Sequence, residues 1–142
     1  VFNQKAKKMA ISFTHNLEPS THVFASETFM TQIVANLLNN AYDVVKTKEK
    51  PWIHLQVNSY DDHILFSVSD SGGGIDEETA KSIFQAFFTT KGKGVGLGLG
   101  LSISANLAKE MGGELWLKEG SPTCFCLRLN KEVMDDKQQP AA

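Results

Sequence analysis

Between Met30 and Val45 the apolar residues recur at helical spacing. Met30, Ile33, Val34, Leu37, Leu38, Ala41, Val44 and Val45 share one broad face at roughly 100° per residue, which is expected to be core. Ser26 supplies an N-cap and Glu27 suits the first turn, so the helix is expected to run to about Lys46. After Pro51 the period changes to two. Trp52 to Tyr60 and His63 to Asp70 alternate on either side of Asp61-Asp62, the pattern of a hairpin. Ala10 to His15 and His22 to Ala25 read as short strands separated by Pro19. Asp76 caps a short helix through about Phe84, and a further helix from Leu101 to Met111 stops at Gly112-Gly113. Glu114 to Lys118 and Thr123 to Leu129 close the pattern as strands. Strands interleaved with three helices predict an α/β sandwich of the α+β type: one mixed, largely antiparallel sheet with the helices packed on one face.

Length and composition narrow the picture. The chain has 142 residues, 42% hydrophobic and 21% charged, which fits one globular domain with its own core and excludes a disordered chain. Residues 1–9, with Lys5, Lys7 and Lys8, read as the end of an upstream helix or a linker, 10–130 as the domain, and 131–142 as a polar, disordered tail. The start at Val1 suggests a piece of a longer protein whose other parts could carry a membrane anchor. A formal charge of -2 gives no basic field for nucleic acid, and the apolar runs are too short to span a bilayer, so neither nucleic acid nor direct membrane contact is expected. The two cysteines, Cys124 and Cys126, stand two apart on a strand with awkward geometry for a disulfide, which suits a reducing cytoplasm; no other cysteine is near to complete a metal site.

Three segments carry chemistry. The polar side of the long helix holds Gln32, Asn36, Asn39, Asn40 and Asp43. From this helix alone the stripe reads equally as a solvated face or a site. A solvated face normally uses Glu, Lys and Arg, whereas asparagine costs helix propensity, which suggests amide oxygens, for instance Asn36 or Asn40, toward a hard cation such as Mg2+. Asp70-Ser71-Gly72-Gly73-Gly74-Ile75 ends an apolar strand in a tight turn with a carboxylate at its mouth, an acceptor for an amine such as adenine N6. From Gly92 to Gly100 glycine stands at every second position before a helix, where backbone N–H groups can cradle phosphates and Lys91 or Lys93 can add charge. No Gly-Lys-Ser/Thr follows, so this is not a P-loop, and no strand leads directly into the turn as a Rossmann unit requires.

Together these residues resemble the catalytic, ATP-binding domain of sensor histidine kinases, within the Bergerat-fold ATPase superfamily. The resemblance covers about Ala10 to Asn130. Gln32 to Ala41 looks like the N box, Asp70 to Ile75 like the first glycine box, Ile83 to Lys91 like the F box, Gly96 to Ile103 like the second glycine box, and Gly120 to Phe125, with Thr123, like the last motif. The resemblance implies that Asn40 ligates Mg2+, that Asp70 binds adenine, that Gly72 and Gly74 shape its pocket, that Gly96, Gly98 and Gly100 close over the phosphates, and that Asp43, Ile75, Lys91, Gly94, Leu97, Leu99 and Thr123 also belong to the nucleotide site. Many such kinases carry a lysine where this chain has Asp43, so Lys91, Lys93 or the metal must supply phosphate charge. The lid between Phe88 and Gly96 is short. Asn36 occupies the position where hydrolytic members carry a water-activating Glu, and an amide cannot take a proton at neutral pH.

The implied activity is histidine protein kinase: transfer of the γ-phosphoryl of Mg-ATP, with Asn36 and Lys91 as catalytic candidates, to a histidine on a separate dimerisation domain and thence to a response regulator in a two-component system. His15 lacks the acidic neighbour of a phosphoacceptor, and Pro19 breaks any helix there. A nucleotide-binding regulatory module without transfer activity, or a hydrolytic ATPase of the same fold, are the rival readings.

Overall fold

The computed structural model describes residues 9–23, 25–88 and 99–132. Along the chain run β1 (Ala10–His15), α1 (Glu27–Val45), β2 (Trp52–Ser59), β3 (His63–Asp70), α2 (Glu77–Ser82), α3 (Gly100–Glu110), β4 (Glu114–Leu117) and β5 (Thr123–Asn130). The sheet order is β1-β2-β3-β5-β4, with β1 parallel to β2 and every other pair antiparallel. The parallel pair is possible because α1 lies between its strands as a crossover. Tyr60 N–H donates to His63 O at 2.9 Å and closes the β2–β3 hairpin over Asp61-Asp62.

Alternation along the strands selects the covered face. Ile53 and Val57 of β2, Ile64, Phe66 and Val68 of β3, Leu115 of β4 and Phe125, Leu127 and Leu129 of β5 are buried. They form one core with Ile33, Leu37, Ala41 and Val45 of α1 and with Ala108 and Met111 at the end of α3. Each fully buried aliphatic side chain such as Leu37 contributes about 1.5–3 kcal/mol. The other face carries His54, Gln56, Ser67, Ser69, Cys124 and Cys126, the intervening positions of the same strands. Ser26 caps α1 by accepting from Phe29 N–H at 3.3 Å. Asp76 caps α2 by accepting from Thr79 N–H at 2.7 Å, and these Thr79 bonds hold its carboxyl below the usual range.

Three expectations are corrected. His22 to Ala25 is not a strand: Val23 makes one isolated bridge to Lys131, because the chain turns into the α1 cap at Ser26 before a ladder can form. The second helix ends at Ser82, and Phe84 instead packs edge-to-face on Phe125 at 6.1 Å between ring centroids. Val44 is not core; it is 46% exposed and lies against the turn that follows β3. The expected linker and tail lie outside the described residues except for Met9, Lys131 and Glu132.

Candidate functional site

The core-facing register of β3 continues past Val68 to Asp70, and its partner on β5 is Thr123. The sheet's covered face therefore ends in two polar side chains, 2% and 3% exposed, beyond the last apolar row. Both are used to shape the following turn. Asp70 Oδ1 accepts from Gly72 N–H at 2.7 Å, and Thr123 Oγ1 accepts from Gly74 N–H at 2.9 Å. Ser71 ties the turn back to β2: Trp52 N–H donates to Ser71 Oγ and Ser71 N–H to Trp52 O, each at 3.1 Å. Glycine is required at Gly74, where φ is +100° and an added Cβ would stand 2.8 Å from Gly120 O. At Gly72 an added Cβ would stand 2.6 Å from both Asp70 Oδ1 and Val44 Cγ1.

Burial raises the Asp70 carboxyl above its ordinary value, opposed by the Gly72 hydrogen bond and the charge of Lys48. Among the described residues no donor reaches Asp70 Oδ2. A desolvated carboxylate oxygen of this kind binds an amine donor more strongly than the same group in water. Ile75 packs at the edge of the core beside the turn.

The polar stripe of α1 leads away from this turn. Val44 touches Gly72 at one end, and Asn36 reaches α3 at the other. Eight residues of helix separate them by about 12 Å. Asn36 Nδ2 donates to Gly100 O at 3.1 Å and to Ser104 Oγ at 2.9 Å, so its amide group pins the first turn of α3. Asn40 stands between, half-buried, and among the described residues nothing hydrogen-bonds its side chain. Its amide oxygen is a hard donor of the type Mg2+ takes, one protein ligand beside water and phosphate oxygens, so the residues present fit the ion. Asp43, one turn further, pairs with Lys46 at 3.4 Å.

Leu99 and Gly100 begin α3, where Leu99 O accepts from Ser102 Oγ and Ile103 N–H, each at 2.9 Å. Lys91, Lys93, Gly94, Gly96, Leu97 and Gly98 lie outside the described residues. The structure thus brings Asp70, Gly72, Gly74 and Thr123 together at one end of α1 and Asn36 and Gly100 at the other, with Asn40 between. Two contributors went unread in the sequence. Val44 looked like core because it is apolar at a core-compatible spacing, and Ser104 gave no signal because only packing reveals its partner. His15 is on exposed β1, accepting from Leu17 N–H at 3.2 Å. His54 lies at the turn end of β2 opposite Ser69 but on the other face of the sheet, against Ser12 and Thr14, and His63 begins β3 at its far end from this turn.

The profile of the family described as histidine kinase-, DNA gyrase B-, and HSP90-like ATPase matches residues 25–133. The sensor protein TorS of Escherichia coli (strain K12) is 42% identical over 104 residues, which is 72% of this chain and 11% of TorS. The chain thus spans about a tenth of that relative's length. Among solved structures, the catalytic domain of histidine kinase ThkA superimposes with a TM-score of 0.73 at 29% identity, covering 87% of this chain and 78% of that one. ThkA in complex with the response regulator TrrA gives 0.71 at 28%, covering 87% and 34%. Full-length ShkA in complex with AMPPNP gives 0.73 at 26%, covering 89% of this chain and 27% of that one. No helix among the described residues is long and apolar enough to cross a membrane.

Proposed function

Because the chain belongs to the histidine kinase-, DNA gyrase B- and HSP90-like ATPase family, we propose that it binds Mg-ATP and transfers the γ-phosphoryl group to a histidine on a separate dimerisation domain. A response-regulator aspartate then receives it, a reading supported by the ThkA–TrrA complex among the structural relatives. The observation that carries the nucleotide assignment is Asp70: a buried carboxylate held by Gly72 N–H, with its second oxygen open to a base amine. Thr123 and Gly74 fix the wall beside it. From there α1 leads past Asn40 to Gly100; the helix rises about 12 Å between Val44, beside the Asp70 turn, and Asn36, beside Gly100, which suits a nucleotide lying with its base at Asp70 and its phosphates at the α3 end.

In this arrangement Asn40 presents its amide oxygen to the metal, and Asp43 flanks it. Mg2+ supplies charge neutralisation on the phosphates when bound. Leu99 and Gly100 stand at the positive end of α3, which suits phosphate, and the preceding Lys91, Gly94, Gly96, Leu97 and Gly98 of the same sequence motif are assigned to the phosphates with them. Asn36 positions rather than takes a proton: its NH2 is spent on Gly100 and Ser104, and an amide is no base at neutral pH. Catalysis then consists of orienting the γ-phosphoryl and neutralising its charge, with the nucleophile delivered by another domain.

The test is to incubate the chain with γ-labelled ATP, with and without a helical hairpin bearing the parent's acceptor histidine, and to follow acid-labile phosphate on protein. Label that depends on the hairpin is expected, with very slow phosphate release from the chain alone. Label on His15 without the hairpin, or rapid hydrolysis, overturns the kinase reading; no label even with the hairpin favours a regulatory module.

A further inference from the structure

We propose that Cys124 and Cys126 form a hydroperoxide-reactive dithiol site on the face of the sheet opposite α1 and the core, with Cys124 as the attacking sulfur and Cys126 as the thiol that closes the disulfide. The alternation of β5 sends Thr123, Phe125 and Leu127 into the core and both cysteines to the opposite face. Their sulfurs stand 3.8 Å apart. Cys126 is 5% exposed, with Ser67 and Trp116 as its cross-strand neighbours. Cys124 is the less buried of the two: it lies beyond the last ladder pair of β4, between Ser69 of β3 and Lys118, whose N–H donates to Cys124 O at 2.9 Å. The outer sulfur is the one a small oxidant meets first.

The surroundings favour a thiolate on that sulfur. The Cys126 sulfur 3.8 Å away, the Ser69 hydroxyl and the charge of Lys118 together draw the Cys124 thiol down to about 6 against the opposing effect of burial. The same pairing and burial push Cys126 well up, so it keeps its proton. A thiolate that is reactive and accessible, with a second thiol beside it, is the arrangement of an oxidation-sensitive pair. The Cys124 thiolate attacks the O–O bond of hydrogen peroxide, forming a sulfenic acid, and the departing hydroxide takes a proton to leave as water. Cys126 sulfur then attacks the sulfenyl sulfur and expels hydroxide, which leaves as water with the Cys126 proton. Two thiols lose two electrons and one peroxide becomes two waters.

Closure moves the strand. Residues two apart on a strand have Cα atoms up to about 6.8 Å apart, at the top of the range a disulfide spans, and the sulfurs must approach to about 2.05 Å. β5 must therefore shorten around Phe125, which packs on Phe84, and beside Thr123, which holds Gly74 N–H. Oxidation thus reaches the Asp70 turn, and its effect on nucleotide affinity rests on the proposed function.

The experiment treats the reduced chain with hydrogen peroxide and measures the tryptic peptide Glu119–Arg128, which contains both cysteines. The wild-type peptide is expected to lose two hydrogens within one chain, reversibly with dithiothreitol. Cys126→Ser should trap a dimedone-reactive sulfenic acid on Cys124, whereas Cys124→Ser and Cys124→Ala should react roughly ten-fold slower or less. Equal reaction of the Cys124 variants, or a bridge formed only between chains, overturns the site. Mg-ATP affinity of the reduced and oxidised chain is measured alongside. Several-fold weaker binding after oxidation, restored by reduction, is expected; unchanged affinity overturns the coupling. Failure of the reduced chain to bind ATP counts against the proposed function alone, since the peptide mass reads the dithiol independently.

Discussion

Asn36 on α1 and Ser104 on α3 are joined by a 2.9 Å hydrogen bond, amide nitrogen to hydroxyl oxygen, across 68 positions of sequence. Ser104 is fully buried, and the same amide nitrogen also donates to Gly100 O. With its NH2 group committed to α3, the Asn36 amide is held in one orientation, and the start of α3 is anchored to the helix that carries Asn40. Asn36 is thus part of the scaffold that sets α1 against the first turn of α3.

Removing either partner should separate the two roles. Ser104→Ala leaves Asn36 its bond to Gly100 and is expected to cost about 0.5–1.5 kcal/mol. Asn36→Ala leaves a buried hydroxyl and a carbonyl without their donor and is expected to cost more, about 1–3 kcal/mol. Urea denaturation of the two variants checks the order; an equal or reversed ranking contradicts the clamp.

The glycines of the Asp70 turn differ in what they tolerate. At Gly73 φ is +84° with open space around an added Cβ, so Gly73→Ala meets only the backbone penalty of about 1–2 kcal/mol. Gly74→Ala adds a collision with Gly120 O and should lose at least about 1 kcal/mol more. It should also weaken Mg-ATP binding, because Gly74 N–H would leave Thr123. Thermal melts and calorimetry on both variants provide the comparison.

Asp70 should trade stability for binding. Its carboxyl is raised by burial, so the stability this group contributes is fully present below the unfolded value of about 3.9 and is lost as pH rises through the folded value. At neutral pH the ionised group is a cost to the fold. Asp70→Asn is therefore expected to melt higher than wild type at pH 7 and to lose that advantage in acid, while binding ATP roughly 10- to 100-fold more weakly. Melting curves across pH test the first part and calorimetry the second; a lower melting point at neutral pH would falsify the burial argument.

Base selectivity follows from the same oxygen. An acceptor at Asp70 suits the exocyclic amine of adenine and opposes the carbonyl of guanine, a difference of about 1–3 kcal/mol. ATP should bind roughly ten-fold or more tightly than GTP. Competition against a fluorescent adenine nucleotide measures the ratio, and equal affinities would remove Asp70 from base recognition.

Element type and order were legible in the chain because each long element repeats a single period. The helical spacing from Ile33 to Val45 and the two-residue alternation of β2, β3 and β5 each have one compact solution, with caps at Ser26 and Asp76 marking the starts. Asp70 and its glycines were legible for the opposite reason. Asp70-Ser71 followed by three glycines breaks the alternation and marks a tight turn at the strand end, which forms with Asp70 accepting from Gly72 N–H. Strand-like composition misled at His22 to Ala25, where the described residues make one isolated bridge, Val23 to Lys131, beside the Glu132 N–H to His22 O bond, and no ladder.

The sequence by itself determined the elements, the family resemblance and which side chains are chemically suited to base, metal and phosphate, since these depend on local periodicity and residue type. Only the tertiary structure decided that Val44 leaves the core to meet Gly72, that Thr123 and not a residue of the turn holds Gly74, and that Asn36 is spent on Ser104 and Gly100. Each of these is a contact between segments far apart in the chain, fixed by strand register and by how α1 lies across the sheet. A side chain's partner across such a gap is set by packing of the whole domain, which no local pattern encodes.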